Sequence, residues 1–217
     1  WIYFGSDRNG TFNLFRQRSD LGVAEQVLQS RDHQQLPTSW SREGILVFNR
    51  YDPSNNVGIW MLMPGDAREQ RPFRETRFTE GAAAVSPDGR WIAYVSDRTG
   101  RYEVYLSAFP EGGSEVPVSS KGGQEPAWSA RGDQIFYRRG ESMIAVTVRT
   151  TPPVLPSSEP VLCKGRSSSR HAREYDAAAN GSFVVLEEMK DESRPMEIVV
   201  VDGWFGELRR ALDSSRK

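Results

Sequence analysis

The sequence predicts an all-β fold, a β-propeller built of four-stranded antiparallel blades, and three observations carry that prediction. The first is self-similarity. "WIYFGSDRNGTFNLF" from Trp1 returns as "WIAYVSDRTGRYEVY" from Trp91, with Trp, Ile, Ser, Asp, Arg and Gly in register 90 positions later. The second is a shorter period: Leu14, Ile59 and Val104 are spaced 45 and 45 apart, each followed by an aromatic (Phe15, Trp60, Tyr105). The third is punctuation, because runs of strand-forming residues alternate with Gly-containing turns in every copy. Four short strands in ~45 residues is the size of one propeller blade. A blade has two apolar faces and becomes stable only when stacked on its neighbours.

About five copies follow one another, at approximately 1–36, 37–80, 81–122, 123–172 and 173–202. The third is the clearest. Ser86, Pro87, Asp88 and Gly89 make its first turn, with Gly89 supplying the positive φ that a tight reversal needs. The strand from Trp91 alternates, Trp91 and Ala93 one way and Ile92 and Tyr94 the other, which predicts a half-buried strand. Ser96, Asp97, Arg98 and Gly100 form the second reversal, and Asp7, Arg8 and Gly10 repeat it in the first copy. Tyr102, Val104 and Leu106 are then expected on one face of the next strand, with "SEVPVSS" from Ser114 as a looser fourth. Of Trp40, Trp60, Trp91, Trp128 and Tyr105, most fall at matching blade positions. They are read as packing between blades rather than as a platform for carbohydrate or peptide.

The ends of the repeat array differ. The first copy lacks an innermost strand and the last lacks an outer one, so further strands or blades are expected ahead of Trp1. Between the fourth and fifth copies runs a Pro- and Ser-rich stretch, "TPPVLPSSEPVLCKGRSSSRHAREY". After 202 the segment "GWFGELRRALDSSRK" predicts a short helix over 203–217, with Asp202 as N-cap and Trp204, Leu208 and Leu212 on one face.

Composition narrows the function. Lys+Arg is 28 and Asp+Glu is 29, leaving a formal net charge of −1, which argues against binding to a nucleic-acid backbone. Cys163 is the lone cysteine, so no disulfide framework or Cys-based zinc cluster is expected, and no cofactor is implied. The apolar run Ile198–Val201 is far short of the ~20 residues of a membrane helix, so no membrane insertion by this segment is expected. No G-x-S-x-G, no H-E-x-x-H and no kinase motif occurs, and His33 and His171 lie in polar stretches read as exposed. Carboxylate pairs are a further option, since propeller glycosidases assemble them from distant blades. Asp7, Asp88, Asp97 and Glu103 recur with the repeat, as structural residues do. The segment is therefore read as non-enzymatic. Lys164, Arg166, Arg170, His171 and Arg173 are the one local concentration of basic residues, a candidate anion site set against a solvated loop.

"SPDGRWIAYVSDRTGRYEVYL", Ser86 to Leu106, resembles the Pro-Asp-Gly repeat of TolB-like propellers, relatives of the WD-repeat type. Over roughly residues 37–212 the chain is similar to the C-terminal propeller of bacterial transmembrane serine/threonine kinases. Those chains end in a Trp-Phe-x-Glu-Leu helix, matched by Trp204, Phe205, Glu207 and Leu208. The resemblance implies an extracytoplasmic or periplasmic sensor that binds a protein, peptide or small ligand at the propeller mouth, with a kinase domain upstream in the same chain. "SARG" at Ser129 and "AAANG" at Ala177 depart from the turn motif, which weakens a binding role shared by every turn. The rival readings are a TolB-like periplasmic scaffold, the accessory propeller of a prolyl-oligopeptidase-type peptidase, and a propeller glycosidase or lyase.

Overall fold

A computed structural model describes residues 1–20, 22–54, 56–65, 69–149, 161–164, 175–178, 182–185 and 199–201. The segment predicted as a helix, 203–217, lies outside the described residues, as do Arg166, Arg170, His171 and Arg173 of the basic cluster.

The described residues form five antiparallel sheets in chain order. The first holds β1 (Ile2–Ser6), β2 (Asn13–Gln17) and β3 (Glu25–Leu28). The second holds β4 (Gln34–Trp40), β5 (Leu46–Tyr51), β6 (Val57–Leu62) and β7 (Gln70–Arg74). The third runs β8 (Glu80–Val85), β9 (Trp91–Ser96), β10 (Glu103–Ala108) and β11 (Glu115–Pro117). The fourth runs β12 (Gln124–Trp128), β13 (Gln134–Arg139), β14 (Ser142–Thr147) and β15 (Val161–Lys164). The fifth has β16 (Tyr175–Ala177), β17 (Phe183–Val185) and β18 (Val199–Val201). Each sheet is a simple meander in which every strand pairs with its predecessor. The first sheet begins on the strand equivalent to β5 and β9, and so has no counterpart of β4 or β8 among the described residues.

The sheets stack face to face, and this corrects the expectation of a half-buried third-copy strand. From Ile92 to Ser96 every residue of β9 is buried, because each face meets a different neighbour. Ala93 and Val95, with Val104 and Leu106, pack on Trp128, Ile135, Tyr137 and Ile144 of the fourth blade. Ile92, Tyr94 and Tyr105 pack the other way, on Ile45, Val47, Ile59 and Met61 of the second. Leu14 and Leu28 meet Leu46, Phe48 and Leu62 across the first interface, and Phe136 and Met143 meet Tyr175 and Phe183 across the last. Such two-sided burial follows from blade stacking, which leaves only strand ends and blade edges in water. Tyr102 departs from its expected place beside Val104. It precedes β10, is exposed, and its carbonyl accepts from the Gly123 amide at 2.9 Å.

The Ser-x-x-Gly turns show why the fold tolerates variation in that motif. In three blades the Gly amide donates to the Ser carbonyl: Gly44 to Ser41 at 3.1 Å, Gly89 to Ser86 at 2.9 Å, Gly132 to Ser129 at 2.9 Å. The Ser hydroxyl in turn accepts from the amide that begins the next strand, Ile45 at 3.1 Å, Trp91 at 3.0 Å and Gln134 at 3.1 Å. Asp88 is the carboxylate of the third blade's turn, taking the Ser86 hydroxyl at 2.6 Å, and in the fourth blade Asp133 takes the Ser129 hydroxyl at 2.7 Å. "SARG" therefore keeps the turn by shifting its carboxylate two residues along from the position Asp88 would occupy. Glycine is required at position 89, where φ is 74° and a Cβ would run into the Glu43 carboxylate.

Candidate functional site

Strands β4, β8 and β12 are the innermost of their blades, and their C-terminal ends converge on one face with β16. A depression of about 390 Å³ opens there, lined by Ser39, Trp40, Arg42, Pro87, Trp128 and Asp176 among others. A second, of about 610 Å³, lies on the far side of Trp40, against Trp1, Tyr3, Pro37, Thr38 and Leu46. Trp40 is the partition between them.

Its exposure separates Trp40 from its repeat equivalent. Trp128 is only 7% exposed, packs in the interface between the third and fourth blades, and donates its indole N–H to the Ala84 carbonyl at 2.9 Å. Trp40 is 49% exposed and stacks on Tyr3, with ring centroids 4.7 Å apart and planes 25° from parallel. Trp40 thus packs between the first and second blades as expected, but it stays half-exposed because, among the described residues, the first sheet has no inner strand for it to cover. Ser39 fixes the strand beneath it, its hydroxyl accepting from the Val85 amide of the next blade at 3.0 Å. The mouth thus presents a held aromatic face and the exposed Arg42, with most serine hydroxyls already engaged by their turns.

The remaining sequence-predicted residues lie at the blade turns, away from this mouth. Gly10 and Gly100 close their reversals by donating to the carbonyls of Asp7 and Asp97, at 2.7 and 2.8 Å. The Asp97 carboxylate also accepts from the Thr79 amide at 2.9 Å, tying the turn to the entry of β8. Arg8 lies over the Phe15 ring at 4.7 Å, and Arg98 over Tyr105 at 3.6 Å while pairing with Glu115. Lys164 is at the end of β15, opposite Ser142. His33 is half-buried rather than exposed: Arg50 donates to its Nε2 at 3.1 Å. Among the described residues no group of three or more His, Cys, Asp or Glu side chains is placed to hold a metal ion. No described helix is long and apolar enough to cross a membrane.

Sequence reasoning passed over a buried polar cluster between the second and third blades. Glu80 is 1% exposed, and its Oε2 has no hydrogen-bond partner among the described residues. The groups acting on its charge are Arg74, the Thr76 side chain, Glu115 and Arg98, and Glu115 is paired with both arginines. Burial pushes the Glu80 carboxyl up to about 7, against the pull of Arg74. Tyr94, fully buried at the same interface, is raised by burial as well. The signal was present in the sequence: Gln35, Glu80 and Glu125 recur at intervals of 45, and all three are buried.

A pH dependence follows. The folded chain holds the Glu80 proton more tightly than the unfolded chain, whose carboxyl titrates near 4.5. That contribution to stability is complete below 4.5 and is lost as the pH rises through about 7. Glu80→Gln is expected to raise the unfolding free energy at pH 8 by about 2 kcal/mol, and by less than about 1 kcal/mol at pH 5. Urea unfolding of both proteins at the two pH values checks this, and an equal gain at both would disprove it.

Stacked meander blades with their inner strands converging on a common mouth define a β-propeller. The fold is similar to TolB from Acinetobacter baumannii, with TM-score 0.67 and 18% identity over 87% of this chain and 46% of that one. TolB from Agrobacterium tumefaciens gives TM-score 0.62 and 15% identity, over 83% of this chain and 67% of that one. A puromycin-hydrolyzing peptidase from Mycobacterium tuberculosis gives 0.54 and 13%, over 81% of this chain and 29% of that one. At these identities the likeness is one of fold. No protein-family model and no curated protein sequence matches the chain.

Proposed function

We propose that this propeller is a non-catalytic binding module that takes a peptide, protein or small ligand at the mouth beside Trp40. The observation that carries the reading is the held, half-exposed indole of Trp40 between two depressions, next to the exposed cation Arg42. Exposed aromatics fixed by a neighbour are favourable binding anchors, because little side-chain freedom is lost on contact. By resemblance, the module is the extracytoplasmic sensor of a bacterial membrane-bound serine/threonine kinase, and ligand binding is coupled to a kinase domain upstream.

Peptides selected from a random library on the 217-residue chain test the binding reading. Binders seated at the mouth are expected to weaken about tenfold in Arg42→Ala and in Trp40→Ala, as loss of an anchoring contact predicts. Binders indifferent to both substitutions would move the site elsewhere. The kinase assignment has its own test in the coding sequence ahead of Trp1: a kinase domain followed by one hydrophobic helix supports it, and its absence removes it. A periplasmic scaffold role is favoured by the TolB likeness, and a peptidase-gating role by the likeness to the mycobacterial peptidase.

A further inference from the structure

The seam between the second and third blades differs from the next one in what it buries. Across the third–fourth seam the packed residues are apolar, from Ala84 and Val104 to Ile135 and Val146. The second–third seam has its own apolar core but also closes over two arginines and two glutamates. Glu115 of β11 takes Arg74, at the end of β7, on one oxygen and Arg98 on the other. One carboxylate therefore ties the outer strands of the two blades. Arg98 is fixed on its other side by Tyr105, whose ring centroid lies 3.6 Å from the guanidinium. Arg74 is satisfied only in part: its Nη2 holds Glu115, while its Nε is buried with no acceptor among the described residues. Glu80, at the start of β8, has the complementary want, a buried oxygen with no donor.

The other charges around β8 are already engaged or lie in water. Strands β4 and β6 bring no charged side chain to it. From β5, Tyr51 is half-buried, and Arg50 donates to His33 and lies over the Trp60 ring at 4.1 Å. From β12, Glu125 pairs with Arg138. From β9 comes Tyr94, whose hydroxyl faces the same Arg74, Glu115 and Arg98. Glu103, across Ser96 from Glu80, is held by Ser119, Gly122 and Arg101. Glu75 and Arg77, on the connection into β8, are exposed. We propose that Glu80, Arg74, Glu115 and Arg98 form a proton-operated latch between the blades. With Glu80 protonated, both arginines hold Glu115 and the outer strands are tied. When Glu80 gives its proton to solvent, Arg74 turns inward to it and leaves Glu115 to Arg98 alone. The quartet then passes from a net charge of +1 to zero. A buried carboxylate left without a partner is costly, and Arg74 is the cation that acts on Glu80 most strongly. Burial holds the Glu80 carboxyl up at about 7, so acid closes the latch and a pH above neutrality opens it. The seam is joined again at the other end of β8, where the Val85 amide donates to Ser39 at 3.0 Å. Opening is therefore confined to the outer half of the seam, and it stands whether or not the mouth takes a ligand.

Two measurements on the 217-residue chain test the latch. The first follows the Arg74 Nε–H by nitrogen-15 NMR, assigned by its loss in Arg74→Lys. This signal is expected to move downfield as the pH rises through about 7, when the group gains an acceptor, and to stay in place in Glu80→Gln. The second is a double-mutant cycle of Arg74→Gln and Glu115→Gln, read by urea unfolding at about pH 5.5 and about pH 8.5. The coupling is expected to be about tenfold in the unfolding constant at the lower pH and less than about threefold at the higher. In a Glu80→Gln background it should be about tenfold at both. An Arg74 signal that holds its position, or a coupling equal at the two pH values, overturns the latch even if overall stability still follows Glu80. A pH-dependent coupling that persists in Glu80→Gln would give the switch to another group, and overturns it too.

Discussion

Trp128→Ala lowers the unfolding free energy by about 4 kcal/mol, whereas Trp40→Ala costs no more than about 1 kcal/mol. The two residues occupy the same repeat position, so the contrast isolates the effect of the covering strand. Trp128 is 7% exposed and packs with Ala84, Ala93, Ile135 and Tyr137, so truncation leaves a large cavity in a core that relaxes only in part. It also leaves the Ala84 carbonyl without its indole donor, a further loss of about 1 kcal/mol. Trp128→Phe should therefore recover most of the loss but not all of it. Urea denaturation measures each term. A fall in midpoint at constant slope means that the blades unfold together. A reduced slope would mean that the fourth and fifth blades come apart from the rest, as weakly coupled repeats can. Equal losses at Trp40 and Trp128 would refute the covering-strand account.

The same pair shows how far the sequence could be read. The period, the Ser-x-x-Gly turns and the aromatic after Leu14, Ile59 and Val104 are local patterns, and each survives as a local structure in the fold. Burial is not local. The alternation in β9 reads as one wet face only if the blade is taken alone, and stacking buries both. Trp40 and Trp128 look alike in sequence because what separates them is the strand in front, which belongs to another blade. Glu80 was legible as a recurrence with Gln35 and Glu125, but its environment was not. Arg74 comes from the preceding blade, and Glu115 from the far edge of its own. Long-range placement of charge, more than strand content, is what the linear pattern leaves open.

Glu103→Ala is the second large effect, expected to cost about 3 kcal/mol at pH 7. The side chain of Glu103 is 3% exposed and joins two blades through their connection. Its Oε1 accepts from the Gly122 amide at 2.9 Å and from Arg101 Nε at 2.7 Å, and its Oε2 from the Ser119 hydroxyl. Ser119 in turn accepts from the Val104 amide at 2.8 Å, so the carboxylate anchors the link from β11 to β12 onto the start of β10. Alanine leaves the buried Ser119 hydroxyl and the half-buried Gly122 amide without their acceptor and removes the partner of the exposed Arg101, which is why the loss exceeds that of one ordinary hydrogen bond. Glu103→Gln keeps the volume but turns an NH₂ group toward donors, and should recover at most about 1 kcal/mol. Burial opposes the charge, yet the Ser119, Arg101 and Gly122 donors outweigh it and hold the carboxyl below its ordinary 4.5. The contribution is therefore present above 4.5 and fades as the pH falls through the depressed value. Denaturation curves of wild type and Glu103→Ala should converge as the pH falls below 4.5 and through the depressed value. A gap that stays constant with pH would show that the loss is one of packing and not of the charged network.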